Sequence, residues 1–285
     1  MRGGDILIDK LKLKPAAIHY VYEQSSVWRI AICRIAVCLA LMFSFSATSC
    51  ELLIKVASSY QWPPYIYKSN GKLVGLEVEI LDSILSKTPF CREFVEMPSS
   101  SRGFEELKNK RVDMLIGASF HPNRELFSRF STSYRDEKMV IFAQKKTSLY
   151  PSIIDNQEYL QQVNVKNNII AINQGSVYGD DFNNFLGRYK GSIINTRLAK
   201  QRFDLLKKDR IDYAIEDELT GIYLLTDENY SNDIINTKMV VNFDSIYYML
   251  RLGLMSDTQL DVFNKAIKDS EPMIKKIVKK YSSSY

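Results

Sequence analysis

The sequence predicts an α/β protein made of two similar units and a helical tail. Short apolar runs alternate with segments of helical periodicity, and this β-α-β-α-β alternation occurs twice. No Gly/Ser-rich linker separates the two rounds, so the units are expected to be joined by structured crossings. Strands that alternate with helices imply a largely parallel sheet.

In the first unit, "LLIKVASSY" from Leu52 is a strand that ends in small polar residues. The tandem prolines of "QWPPY" stop any regular element there, leaving Trp62 on a loop past the strand's carboxyl end. "YIYKSNGKLVG" reads as a hairpin turning at Asn70-Gly71. "LEVEILDSILSK" has apolar residues at Leu76, Ile80, Leu81, Ile84 and Leu85, the spacing of an amphipathic helix. "REFVEM" is a strand, "RGFEELKNK" a helix and "VDMLIGAS" a strand. The second unit repeats the order with "NNIIAINQG", "SVYGDDFNNFLGRY", "GSIINT", "RLAKQRFDLLKKD" and "RIDYAIED". The tail "DTQLDVFNKAIKDSEPMIKKIVKKY" is expected as two helices parted at Glu271-Pro272. Ligands of open α/β sheets bind outside the carboxyl ends of strands, where Trp62, Ser119, Gly175 and Asp217 fall.

The 285 residues suffice for two modest domains, and 46% hydrophobic with 25% charged residues is ordinary globular composition. The net charge of +5 owes much to residues 1–49; the remainder has 32 basic and 30 acidic residues. That balance lacks the basic face that nucleic-acid binding requires. Arg29 and Arg34, the apolar run Ile35–Phe45 and the small residues of "SATSC" form a secretory signal, so residues 1–49 are assigned to a signal peptide. Residues 1–26 fit no signal and are read as a gene-model extension, with the start near Val27. Cys50 has two readings: "ATSC" resembles the lipobox of bacterial lipoproteins, in which this cysteine is acylated, or it follows a plain signal-peptidase site. Cys33 and Cys38 lie in the leader, so the exported chain keeps Cys50 and Cys91. No disulfide framework is expected, and Cys91 reads as a small apolar filler.

Missing residue types exclude several chemistries. The exported chain has one histidine, His121, and no Cys-x-x-Cys, so no zinc site is expected. A Ser-His-Asp triad would need His121, which sits beside Pro122 without a nucleophile elbow. Neither phosphate-binding glycine motif occurs. No cofactor or metal is expected.

From about Leu52 to Tyr281 the chain resembles the bacterial extracytoplasmic solute-binding proteins, family 3. The resemblance lies in "IKVASSYQWPPY", "GKLVGLEVEILDSIL", "ELKNKRVDMLIGASFHPNR", "FSTSYRDEKMVIFA", "INQGSVYGDDF", "RIDYAIEDE" and "NKAIKDSEPMIKKIVKKY". It implies a periplasmic-binding-protein-like type II fold, two α/β lobes joined by two crossing strands with a ligand cleft between them. Residues 50–137 would be lobe 1, 138–244 lobe 2, and 245–285 a return to lobe 1 and the C-terminal helices.

The resemblance also implies site residues. Arg124 would clasp a ligand α-carboxylate, helped by the Ser119 hydroxyl, with a carbonyl near Gly117 taking the ammonium; a guanidinium fork matches both carboxylate oxygens. Ser176 and Val177 would offer backbone N–H groups at a helix start, although Ser176 could simply cap that helix. Asp217 would meet the ligand ammonium, with Glu216 as a neighbour. Trp62 would stack on the ligand side chain, with Tyr60 and Tyr65 as alternative walls. Ser59 stands where binders of cationic amino acids carry an acid, which argues against such ligands. Arg102 resembles a basic position of one branch of the family. His121 replaces the family's hydroxyl and reads as a turn residue.

The expected function is capture of a small zwitterionic or anionic solute, a polar amino acid, in the periplasm. The binding protein would be a monomer and would deliver its ligand to a membrane ABC permease. Two alternatives stay open: a periplasmic cyclohexadienyl dehydratase, using Glu216 or Asp217 for proton transfer, and a stand-alone ligand sensor.

Overall fold

The computed structural model describes residues 50–146, 163–164, 167–176, 178–227 and 229–283. The expected signal peptide (1–49) and Val177 lie outside the described residues. Among the described residues, no helix is long and apolar enough to cross a membrane.

The first lobe begins with β1 (Leu52–Ser58), the short β2 (Gln61–Trp62) and the hairpin β3 (Ile66–Ser69)–β4 (Lys72–Val74). It continues through α1 (Leu76–Leu85), β5 (Phe90–Glu96), α2 (Ser100–Lys108), β6 (Met114–Ser119), α3 (Pro122–Glu125) and β7 (Ser128–Phe130). The hairpin turns at Asn70 (φ 50°) and Gly71 (φ 74°). Two successive positive φ values are the requirement that Asn-Gly meets. The long β8 (Arg135–Gln144) leads to the second lobe, with β9 (Ile169–Asn173), α4 (Gly179–Gly187), β10 (Ser192–Thr196), α5 (Ala199–Lys207), β11 (Tyr213–Asp217) and α6 (Glu218–Asp227). β12 (Ile234–Arg251) returns, and α7 (Asp257–Ser283) closes the chain.

One sheet runs β10-β9-β11-β8-β12-β6-β1-β5, with β7 also paired to β12. Each lobe repeats one plan. β5-β1-β6 and β10-β9-β11 are parallel trios, each flanked by an antiparallel crossing strand, β12 or β8. β12 pairs with β8 from Ile234 to Ile246 and with β6 from Ile246 to Leu250, so these two strands form the two crossings. Strand alternation is visible on β8: Met139, Ile141 and Ala143 join the core under α4, while Val140 and Phe142 join the core under α5 and α6. In the first lobe α1 and α7 cover one sheet face, with Ile80, Ile84, Phe263 and Ile267 in a common core. α2 covers the other, over Ala57 and Leu115.

Two sequence expectations are corrected. The tail is one 27-residue helix with Pro272 inside it. Pro272 removes one intrahelical N–H, and the apolar stripe continues across it through Ile274, Ile277 and Tyr281, which pack in the first-lobe core. Burial of that stripe outweighs the lost hydrogen bond. Cys50 and Cys91 form a disulfide, with Cα atoms 5.7 Å apart. Parallel pairing of β1 with β5 sets Leu53 beside Cys91 and carries Cys50 into reach. Cys91 is therefore not an unpaired filler.

Candidate ligand-binding site

A cavity of about 610 Å³ lies at the carboxyl ends of the parallel strands, between the lobes. Ser59, Tyr60, Trp62, Gly117, Ser119 and Arg124 line it from the first lobe, and Ser176, Glu216 and Asp217 from the second. The strand-order reversal between trios and crossing strands produces this crevice, as in other open α/β sheets.

Arg124 sits on α3, the short turn made by the His-Pro step. His121 is its N-cap: Nδ1 accepts from the Asn123 N–H at 3.2 Å, and Pro122 occupies the first helical positions. This accounts for the imidazole as a local structural group. The Arg124 guanidinium donates to the Ser119 carbonyl at 2.7 Å and across the cleft to the Gly175 carbonyl at 3.4 Å. Its Cζ lies 4.4 Å from the centre of the Phe104 ring. Burial lowers its pKa, and Asp244 opposes that shift. A pre-aimed guanidinium stripped of much of its water attracts a carboxylate strongly.

Trp62 stacks on Tyr65 at 4.4 Å between centroids. It rests on Gly117, where an added Cβ would stand 2.5 Å from Trp62 Cη2, and Gly117 has φ 66°. The Gly117 N–H donates to the Tyr134 hydroxyl at 3.0 Å. Glycine is thus required twice, for conformation and for the indole's seat.

On the second lobe, Asp217 ends β11 and is 4% exposed. Its Oδ1 accepts from the Thr220 N–H at 2.8 Å, capping α6. Burial pushes its pKa up to about 6, against lowering by the Thr220 N–H, Arg135 and Tyr65. Ser176 does not cap α4, which starts at Gly179; its hydroxyl accepts from Asn173 Nδ2 at 2.7 Å. Glu216 is committed elsewhere. Buried Arg202 holds its Oε2 through two N–H groups, and its Oε1 accepts from the Asp217 N–H at 3.1 Å. Arg102 is not part of the cavity lining: it pairs with Glu106 at 2.6 Å one helical turn away.

A buried charge network escaped the sequence reading. Arg135 Nε donates to Glu77 Oε1 at 2.8 Å, and the Tyr134 hydroxyl donates to Glu77 Oε2 at 2.8 Å. Arg135 Nη1 reaches Glu137 at 3.3 Å, and its Cζ lies 4.4 Å from the Tyr65 ring centre. Glu137 lines the cavity, and burial followed by the Asp217 charge pushes its pKa up to about 8. The signal was available in "YRDEK", whose strand alternation points Arg135 and Glu137 to one face, but nothing in the sequence shows which face is buried. Among the described residues, no group of three or more His, Cys, Asp or Glu is placed to hold a metal.

The family model for bacterial extracellular solute-binding proteins, family 3, matches residues 54–284. The chain belongs to this family. The binding protein is 24% identical over 220 residues to the arginine-binding extracellular protein ArtP of Bacillus subtilis (strain 168), covering 76% of this chain and 80% of that one. Its fold is similar to that of a histidine kinase sensor domain related to periplasmic binding proteins. The TM-score is 0.67 at 20% identity, over 82% of this chain and 96% of that one. It is also similar to the ancestral amino acid-binding protein AncCDT-1, a precursor of cyclohexadienyl dehydratase. There the TM-score is 0.65 at 18% identity, over 80% and 94% of the two chains.

Proposed function

We propose that this protein captures an amino acid outside the cytoplasm and delivers it to an ABC-type permease. The observation that carries the reading is the opposition of Arg124 and Asp217 across one cavity. A guanidinium on the first lobe and a carboxylate on the second match the carboxylate and ammonium of a zwitterion, so the ligand joins the lobes. Trp62 covers the side chain, and Ser119 and Ser176 add hydrogen bonds. The arginine-binding relative supports the ligand class. The expected secretory leader (1–49) and the Cys50–Cys91 disulfide both suit export to an oxidising compartment. Lobe bounds at 50–137, 138–244 and 245–285 complete the proposal, with a monomer as the acting form.

The test is a thermal-shift screen of the purified protein against amino acids and organic anions. A ligand at a hundredfold excess over Kd stabilises by about 2.7 kcal/mol. Arg124→Ala is expected to abolish the response while the ligand-free protein melts cooperatively; an unaltered response in that variant assigns the ligand to another site.

A second reading has one observation in its favour. Dehydration of a cyclohexadienyl acid needs a carboxyl that holds a proton near neutrality, and Glu137 and Asp217 are both raised. Turnover of prephenate or arogenate by the purified protein would establish this reading over simple capture.

A further inference from the structure

Glu137 has no role in the zwitterion site just proposed, yet its side chain faces the same cavity as Asp217. The register shows why. Asp217 on β11 is directly opposite Met139 on β8. Side chains two residues apart on a strand share a face, so Glu137 projects diagonally next to Asp217. On the other edge of β8, Asp244 of β12 is the direct partner of Glu137.

The two arginines that pair with the acids of this wall, Arg202 and Arg135, are already engaged. Arg202 is spent on Glu216. Arg135 holds buried Glu77 at 2.8 Å and reaches Glu137 only at 3.3 Å, so its single charge is shared by two carboxylates. Two further buried groups have no hydrogen-bond partner among the described residues: Arg135 Nη2 and the hydroxyl of Thr220, which lines the cavity beside Asp217.

We propose that Glu137 and Asp217 form a two-carboxylate subsite that selects a ligand with two cationic groups, an amino acid whose side chain ends in a guanidinium or an ammonium. The proposal rests on the amino-acid reading above and deepens it. With a neutral side chain, the ligand carboxylate would match Arg124 and its ammonium Asp217, leaving Glu137 to share Arg135. A basic side chain supplies the missing charge, so that Glu77, Glu216, Asp217 and Glu137 each have a cation. Trp62 on the cavity wall supplies an indole that can face such a group; the Tyr60 ring already has Lys68 Nζ 4.8 Å from its centre. The acid that position 59 lacks for cationic ligands is provided by β8.

This arrangement also couples binding to protons. Arg135, Glu77, Tyr134, Tyr65, Asp217, Glu216 and Asp244 surround Glu137, and Arg124, Arg202, Lys68, Arg197 and Lys200 line the same cavity. Near neutral pH the empty cavity keeps Glu137 protonated, through burial and the Asp217 charge. Entry of a guanidinium ionises Glu137, and the proton leaves to the buffer. Capture of a basic amino acid therefore releases a proton, and its affinity rises with pH.

Calorimetric titration with arginine, lysine and glutamine tests this, near pH ~7 and above pH ~8.5, in buffers of different protonation enthalpy. Arginine or lysine is expected to bind at least about tenfold tighter than glutamine. That preference should grow with pH; near pH ~7, with Asp217 ionised and Glu137 protonated, proton release should accompany only the basic ligands, and it should fade above pH ~8.5. Glu137→Gln should cut the preference by about tenfold or more and remove the proton release. The wild-type preference and proton count stand independently of how that variant folds. Equal affinity for arginine and glutamine, or an intact preference in Glu137→Gln, overturns the subsite and leaves amino-acid capture standing. Absence of binding by every amino acid overturns the amino-acid reading and the subsite with it.

Discussion

Single positions set the geometry of the cavity before any ligand arrives. Gly117 is the sharpest case, since its positive φ and the Trp62 ring leave no room for a methyl group. Gly117→Ala is expected to cost about 1–3 kcal/mol of stability, read as a lower urea midpoint. It should also weaken ligand binding, because the indole must shift. Arg124 depends on its surroundings too: the Ser119 carbonyl and the Phe104 ring hold the guanidinium in place. Arg124→Lys keeps the charge but loses the planar fork, so calorimetry should show about tenfold or greater loss of affinity.

At the scale of elements, local rules and long-range packing can be separated. The Asn70-Gly71 hairpin and the strand–helix alternation were legible because turn chemistry and periodicity are local. Pro272 was read locally too, and there packing prevailed: the stripe from Leu260 to Tyr281 has one continuous core to bury against. The disulfide ties the start of β1 to β5 across a separation of 41 residues. Replacing both cysteines by serine is expected to cost about 2–4 kcal/mol. Denaturation of the oxidised protein with and without reductant should show the same difference in the unsubstituted chain.

At the scale of the molecule, the lobes share one sheet and one buried charge system, so stability should follow the protonation of the cavity. Glu137 and Asp217 have folded pKa values raised above those of free carboxyls. Between those limits the folded protein holds protons that the unfolded chain releases. Their contribution is therefore fully present below about pH 4 and is lost as pH rises through about 6 for Asp217 and about 8 for Glu137. Melting curves of the ligand-free protein are expected to show this decline, and Glu137→Gln should flatten its upper part.

The strand–helix alternation of both lobes, the two-lobe α/β class and the family were legible in the sequence, because these rest on periodicity, turn residues and motif order. It also placed Trp62, Ser119, Gly175 and Asp217 at strand ends, and the structure lines one cavity with all four. Which acids are tied to their own arginine and which meet in the cavity was set by the tertiary structure. Glu216 is consumed by Arg202 from α5, while Glu137 is brought beside Asp217 by the pairing of β8 with β11. Cys50 and Cys91 met for the same reason, through the β1–β5 register. Charge pairing and covalent reach depend on distance in space, and strands that lie far apart in sequence set those distances.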